Sequence, residues 1–432
     1  MKLEDCWGRL FIAGQLNSDL EAQAHKKPAL LTEKGRLFCG RCASPIDKKE
    51  NRLPIGAYYC RTCLLLGRIR SDQDLYYFPQ RDFPKKEALI WQGQLTDWQQ
   101  RVADSLLAQV QAGRDCLVHA VTGAGKTEMI YPLLASYLRK GQAVCLASPR
   151  IDVCLELHRR LVEDFNCPIS LLHGQSEAYS RSPLVIATTH QLLKFYQAFD
   201  LLIIDEVDAF PYLDNAMLYQ AVQEASKKGG RKVFLTATST PELNRQVERG
   251  QLCRLSLPRR FHGNPLTLPS KVWLNKLASQ LKRGKVPRKL LSYIKKQRKT
   301  GFPLLIFMAE IERGKRLAQI LQRLLSQEKI GFVSSKTENR LDLVQDFRQK
   351  DLTILVTTTI LERGVTFPGL DVFVLEAHHH LFTASALIQI AGRVGRSKER
   401  PSGQLIFFHE GSSLAIEEAI REIKAMNEEA GL

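Results

Sequence analysis

Two stretches of the chain carry residue types suited to phosphate chemistry. The first, Ala120-Val-Thr-Gly-Ala-Gly-Lys-Thr127, combines glycines, a lysine and a threonine. Gly123 and Gly125 permit a tight turn whose N–H groups face phosphate oxygens, with Thr122 beside them. Lys126 would reach the β- and γ-phosphates of a nucleoside triphosphate, and Thr127 would hold Mg²⁺. The usual first glycine of such a loop is Ala120 here. The second stretch, Gln389-Ile-Ala-Gly-Arg-Val-Gly-Arg396, sets Arg393 and Arg396 three residues apart, hence on one helical face. Two guanidinium groups could stabilise charge on a transferring phosphoryl group.

An acidic pair completes the set. Asp205-Glu206 follows the apolar run Leu201-Leu-Ile-Ile204 and lies 79 residues beyond Lys126. Asp205 would bind Mg²⁺ through water, and Glu206 would polarise the attacking water. ATP and Mg²⁺ are therefore the expected cofactors, and hydrolysis is the expected reaction.

A separate chemistry is written near the N-terminus. Cys39-Gly-Arg-Cys42 and Cys60-Arg-Thr-Cys63 are two C-x-x-C knuckles with 17 residues between them. That spacing suits a four-thiolate zinc ribbon, with a redox pair or an iron site as the other readings. Four thiolates leave no open coordination position, so catalysis at the metal is not expected. The remaining cysteines (Cys6, Cys116, Cys145, Cys154, Cys167, Cys253) are scattered, as small buried apolar residues are.

These groups need elements to hold them. Asp115–Ala120 reads as a short strand before the loop, and Met129, Ile130, Leu133, Leu134, Tyr137 and Leu138 recur at helical spacing after it, with Pro132 expected to kink the helix. Ser148-Pro-Arg150, Thr188-Thr-His-Gln191 and Thr236-Ala-Thr238 each read as polar residues at a strand end. From Pro303 the pattern restarts: Leu304–Phe307, Thr353–Val356 and Val372–Leu375 read as strands and 311–326 as a helix. The expected fold class is α/β, two RecA-like parallel-sheet domains with a small N-terminal four-cysteine module. The expected division is an N-terminal region 1–93 with its ribbon at about 36–67, a first domain 94–255 that binds ATP, a basic linker 256–285, and a second domain 286–432.

The 432 residues carry 62 Lys+Arg against 45 Asp+Glu, a net charge of +17, which favours a polyanionic partner, nucleic acid before membrane. Residues 251–300 hold 14 Lys and Arg and no acid. They read as a phosphate-tracking surface or as a solvated hinge, with a basic helix opening near Pro287. No apolar run is long enough to span a membrane, and no signal pattern opens the chain, so a cytosolic protein is expected.

Over residues 94–432 the motifs resemble superfamily-2 helicases. That resemblance implies that Gln99, in Leu95-Thr-Asp-Trp-Gln99, reads adenine, that Gly364, Gln389 and the phosphate loop contact the nucleotide, and that Arg150, Thr188 and Thr358 grip a nucleic-acid backbone. Phe367-Pro and Gln389–Arg396 are similar to the primosomal replication-restart helicases, although in those the zinc cysteines lie inside the second motor domain. An N-terminal four-cysteine module before a compact motor with a DEVD box resembles the late-competence ComFA family across nearly the whole chain. That implies an ATPase acting on single-stranded DNA, peripheral at the inner face of the cytoplasmic membrane with the DNA-uptake machinery, partnered by a ComFC-type protein and by DprA. Self-association, a duplex-unwinding role in replication restart or repair, an RNA substrate and an ATP-switched zinc-ribbon scaffold are the other readings.

Overall fold

Short aliphatic runs buried on both faces form parallel strands, and they do so here. The structure is a computed structural model that describes all residues except 239, 364–366 and 397–399. By contact the chain forms two compact units, Met1–His119 with Thr127–Ser256, and Leu257–Leu432 with Ala120–Lys126.

The first unit is built on a seven-stranded sheet. Its strands run in the order Cys253–Leu257, Cys116–Ala120, Ser226–Thr236, Phe199–Ile204, Val144–Ser148, Leu184–Thr188, Ile169–Leu172. Every pair from Cys116–Ala120 onward is parallel. Helices Asp97–Gln111, Tyr131–Arg139, Ile151–Asp164 and Ala216–Ala225 bury their apolar residues in this unit. The helix after the phosphate loop breaks where Pro132 anticipates it. Lys126–Met129 ends, and Tyr131–Arg139 begins with Pro132 in its first turn, where a missing N–H costs nothing.

The N-terminal residues add two antiparallel three-stranded sheets. One runs in the order Leu10–Ile12, Asp74–Tyr77, His25–Pro28, and the other Leu30–Glu33, Arg36–Cys39, Pro45–Ile46. Lys34 and Gly35 both take positive φ, 47° and 77°, which closes the Leu30–Glu33/Arg36–Cys39 hairpin with a two-residue turn. This region is packed onto the first large sheet. The four knuckle cysteines share one apolar core with Leu117, Cys145, Leu202 and Ile204. The Arg9 guanidinium lies over the rings of Phe11, Tyr179 and Phe195 and donates to the Lys194 carbonyl at 3.2 Å.

The second unit holds a six-stranded sheet in which every pair is parallel, in the order Ser270–Trp273, Leu405–His409, Asp371–Val374, Leu304–Phe307, Ile354–Thr357, Ile330–Val333. The basic helix expected near Pro287 is Arg288–Arg298, which buries Leu290, Ile294 and Gln297. The segment read as a linker contains the edge strand Ser270–Trp273 and the helix Leu277–Lys282. That strand buries only Val272, so it offers no alternation to detect.

One glycine tests the packing of the cysteine region. A Cβ on Gly40 would stand 2.3 Å from the Pro28 carbonyl oxygen and 2.9 Å from that of Ala29. Because these are backbone atoms that cannot swing away, Gly40→Ala is expected to cost about 1–3 kcal/mol, read as a lower urea midpoint with an unchanged slope.

Candidate nucleotide site and cysteine cluster

The phosphate loop leaves the carboxyl end of Cys116–Ala120 and enters the helix Lys126–Met129. Gly123 and Gly125 take φ of 84° and 75°, a region side chains avoid, so the loop needs glycine at both positions. Thr122 lies in this loop, and its hydroxyl donates to the Gln389 carboxamide oxygen at 3.3 Å. A Cβ on Gly392 would meet Thr122 Cβ at 2.5 Å, so the Thr122 side chain lies close against that backbone.

Asp205 and Glu206 follow Phe199–Ile204 directly. The Asp205 N–H donates to the Ala147 carbonyl at 2.8 Å, and the Asp205 carboxylate accepts from the Glu206 N–H at 2.9 Å. Glu206 takes a φ of 55°. A non-glycine residue held in that region is strained, and such strain concentrates at functional sites.

Sequence reasoning left Asp208 without a role, and the structure gives it one. Its buried carboxylate accepts from the Thr236 hydroxyl at 2.9 Å and from the Thr238 hydroxyl at 2.6 Å. His119, in the strand before the phosphate loop, joins the same turn. Its Nε2 is 3.2 Å from the Ala237 carbonyl, and its Nδ1 is 3.1 Å from the Arg254 guanidinium. With Nε2 donating to the carbonyl, Nδ1 accepts from the arginine. Thr236-Ala-Thr238 was legible as a strand end, but its partner required the fold.

Gln99 has a structural task. Its carboxamide oxygen accepts from the Thr96 N–H at 2.9 Å, and its own N–H donates to the Thr96 hydroxyl at 3.4 Å. This reciprocal capping box starts the helix Asp97–Gln111. Its signal in the sequence is a threonine three residues before a glutamine.

Arg393 and Arg396 do not share a helical face. The helix Ala384–Ala391 ends at Gly392, and Gly395 takes a φ of 71°, so both arginines stand in the turn that follows. Arg393 is buried, at 2% exposure. Gly364 lies outside the described residues.

Of the residues expected to grip nucleic acid, Arg150 and Thr188 belong to the first unit and Thr358 to the second. Thr188 is opposite Ser148 on adjacent strands, and Arg150 follows two residues later at the start of Ile151–Asp164. Thr358 follows the strand Ile354–Thr357 in the second unit. Thr188 and Thr358 are 6% and 7% exposed, so little of either side chain faces solvent. Lys282, Arg283, Lys295 and Lys296 are exposed, as a phosphate-tracking surface requires, but Arg260 is buried and cannot belong to one.

Cys39, Cys42, Cys60 and Cys63 are buried, with their sulfurs all within 4.8 Å of one another. Cys39 and Cys63 sulfurs are 3.8 Å apart, and those of Cys42 and Cys60 are 3.6 Å apart. A tetrahedral Zn²⁺ with four thiolates at about 2.3 Å has sulfurs ~3.8 Å apart, so the cluster is compatible with zinc. Hydrogen bonding from Cys39 holds Cys42 and Cys60 below the ordinary thiol range. Arg41 donates from Nε to the Cys63 sulfur at 3.4 Å and from its Nη atoms to the carbonyls of Cys63, Leu66 and Gly67.

A DEAD/DEAH box helicase family matches residues 96–246, and the helicase conserved C-terminal domain matches residues 285–398. The chain is 62% identical to competence protein ComFA of Streptococcus pneumoniae, over 99% of both chains. It is 40% identical to competence protein ComFA of Bacillus subtilis, over 91% of this chain and 86% of that one. Replication restart protein PriA of Rickettsia conorii is 27% identical over 42% of this chain and 30% of its own. Among solved structures, Saccharomyces cerevisiae Dbp5 bound to RNA and ADP BeF3 aligns with a TM-score of 0.54 at 15% identity, covering 77% of this chain and 91% of that one. Mycobacterium smegmatis helicase Lhr bound to ssDNA and AMP-PNP aligns with a TM-score of 0.55 at 16% identity, covering 78% of this chain and 50% of that one. At such identities the likeness is one of fold, two RecA-like domains. With the matched helicase families it makes this chain a superfamily-2 ATPase of the helicase type.

The Asp208 network gives a direct test. Asp208→Ala removes the carboxylate that both buried hydroxyls, of Thr236 and Thr238, donate to, and is expected to cost about 1–3 kcal/mol, measured as a shift in the urea midpoint.

Proposed function

The chain belongs to the ComFA family of competence proteins, and we propose that it is an ATP-driven translocase that draws single-stranded transforming DNA across the cytoplasmic membrane. The observation that carries this reading is a match to a competence protein along the full chain that also contains the complete phosphate-chemistry set.

In this reading Gly123 and Gly125 turn the loop so that its N–H groups cradle phosphates, with Thr122 alongside. Lys126 neutralises the β- and γ-oxygens, while Thr127 and Asp205 hold Mg²⁺. Bound MgATP supplies the transferable phosphoryl group. Glu206 orients the attacking water, and Arg393 and Arg396 offset the charge that builds on the transferring group. Gln389 and Gly364 complete the nucleotide contacts. Gln99 reads adenine with whatever its carboxamide retains beside the helix cap. Arg150, Thr188 and Thr358 hold the sugar–phosphate backbone rather than bases, which makes binding independent of sequence and dependent on salt.

The cysteine cluster holds structural Zn²⁺, with all four positions filled by sulfur. Arg41 offsets part of the negative charge of the thiolates. The protein acts at the inner face of the membrane, with a ComFC-type protein and DprA as partners. Among the described residues no helix is long and apolar enough to cross a membrane.

ATP hydrolysis by the purified protein, alone and with single-stranded DNA, forked duplex or RNA, tests the reading. Single-stranded DNA is expected to stimulate the rate about tenfold or more, and Lys126→Ala to lower it by about a hundredfold or more. Equal stimulation by forks or RNA would replace translocation with unwinding or RNA remodelling. No stimulation by any nucleic acid would leave an ATP-switched scaffold.

The zinc assignment has its own measurement. Elemental analysis is expected to find one zinc per chain and to lose it in Cys60→Ser. Because the cysteines share a core with the first large sheet, the thermal midpoint should fall with the metal. Full retention of the midpoint after metal removal would contradict a structural ion.

A further inference from the structure

Among the 14 basic residues of 251–300, Arg260 alone is buried, at 3% exposure. Its guanidinium donates from Nη1 to the carbonyls of Val394 at 2.8 Å and Gly395 at 2.7 Å, and from Nη2 to the Gly392 carbonyl at 3.0 Å. These carbonyls belong to the turn that carries Arg393 and Arg396. The last carbonyls of a helix have no partner within it, and a cation there also meets the negative end of the helix dipole. Arg260 therefore ties together the turn that follows the helix Ala384–Ala391, with a planar fork that spans residues 392–395.

The turn has little freedom to relax. Gly395 takes positive φ, and a Cβ on it would lie 2.2 Å from the Pro401 carbonyl oxygen and 3.2 Å from Arg260 Nη1. Arg396 donates from Nε to the same Gly392 carbonyl at 2.9 Å. Burial, and then the nearby Arg396 charge, work against a charged Arg260. An apolar side chain would fill such a space at lower electrostatic cost, so the retained charge calls for a task that an apolar plug cannot perform.

Neighbouring residues reach the phosphate loop. The Phe261 N–H donates to the Gly123 carbonyl at 3.0 Å, and the Leu257 carbonyl accepts from the Val121 N–H at 3.1 Å. Residues 257–261 are thus bonded to the phosphate loop through their backbone and to the arginine turn through one side chain.

We propose that Arg260 is a positioning residue for ATP hydrolysis, fixing the 392–396 turn so that Arg393 and Arg396 meet the transferring phosphoryl group. This rests on the ATPase reading above and extends it to a residue that does not itself touch nucleotide. Lysine keeps the charge but presents a point donor, which cannot serve three carbonyls in a plane.

The test compares Arg260→Lys and Arg260→Gln with Lys126→Ala and Arg393→Ala in the full chain, with single-stranded DNA present. Both Arg260 variants are expected to lose about tenfold or more in kcat, with affinity for a fluorescent ATP analogue held within about threefold. Adding Arg260→Gln to Arg393→Ala should lower kcat by no more than about twofold further, because both changes disable the same turn. If Arg260→Gln does not fold, Arg260→Lys alone decides. Wild-type kcat in Arg260→Lys, loss of analogue binding in step with kcat, or independent multiplication with Arg393→Ala would each overturn the proposal. Should Lys126→Ala keep its activity, the ATPase reading itself fails. An inactive Lys126→Ala beside a fully active Arg260→Lys removes only the role of Arg260.

Discussion

A parallel strand covered by helices on both faces can offer side chains to a ligand only where it ends. That constraint decides where polar chemistry occurs in this chain. Cys116–Ala120, Val144–Ser148, Leu184–Thr188, Phe199–Ile204 and Ser226–Thr236 are almost wholly apolar or buried along the stretches that pair side by side. Their carboxyl ends lead into the phosphate loop, Arg150, Thr189, Asp205 and Ala237. The second sheet follows the same rule, with Thr358 after Ile354–Thr357.

Residues buried beside those ends must be hydrogen-bonded, because an orphaned polar group in the interior is costly. Asp208 is satisfied by two threonine hydroxyls and Gln99 by the cap of its own helix. Arg41 and Arg260 use the same device on a larger scale, each spreading one guanidinium over three carbonyls. In both cases the arginine holds irregular backbone, beside the knuckle sulfurs in one case and in the turn of Arg393 and Arg396 in the other. A lysine could not reproduce either arrangement.

Local signals were legible and tertiary ones were not. Leu304–Phe307 forms the strand its apolar run predicts, and the two C-x-x-C knuckles bring four sulfurs together as their spacing requires. The phosphate loop was readable because its glycines answer to backbone geometry alone. The helical reading of Arg393 and Arg396 failed because the helix ends at Ala391 and the chain turns away through Gly395 at positive φ. Arg260 looked like its thirteen basic neighbours in 251–300, since burial depends on a turn more than 130 residues away. The N-terminal strands are two to four residues long, too short for alternation to register.

The strand that feeds the phosphate loop sits between Ser226–Thr236 and Cys253–Leu257 in the sheet. Both of its neighbours are made more than 100 residues after it. During synthesis Cys116–Ala120 therefore waits with both edges open until the chain has grown past residue 236, and with one edge open until it has passed residue 257. Pairing over such separations is slow and leaves apolar edges exposed meanwhile. A ribosome stalled before that point would release a chain with its cysteine knuckles already made and no seat for a nucleotide.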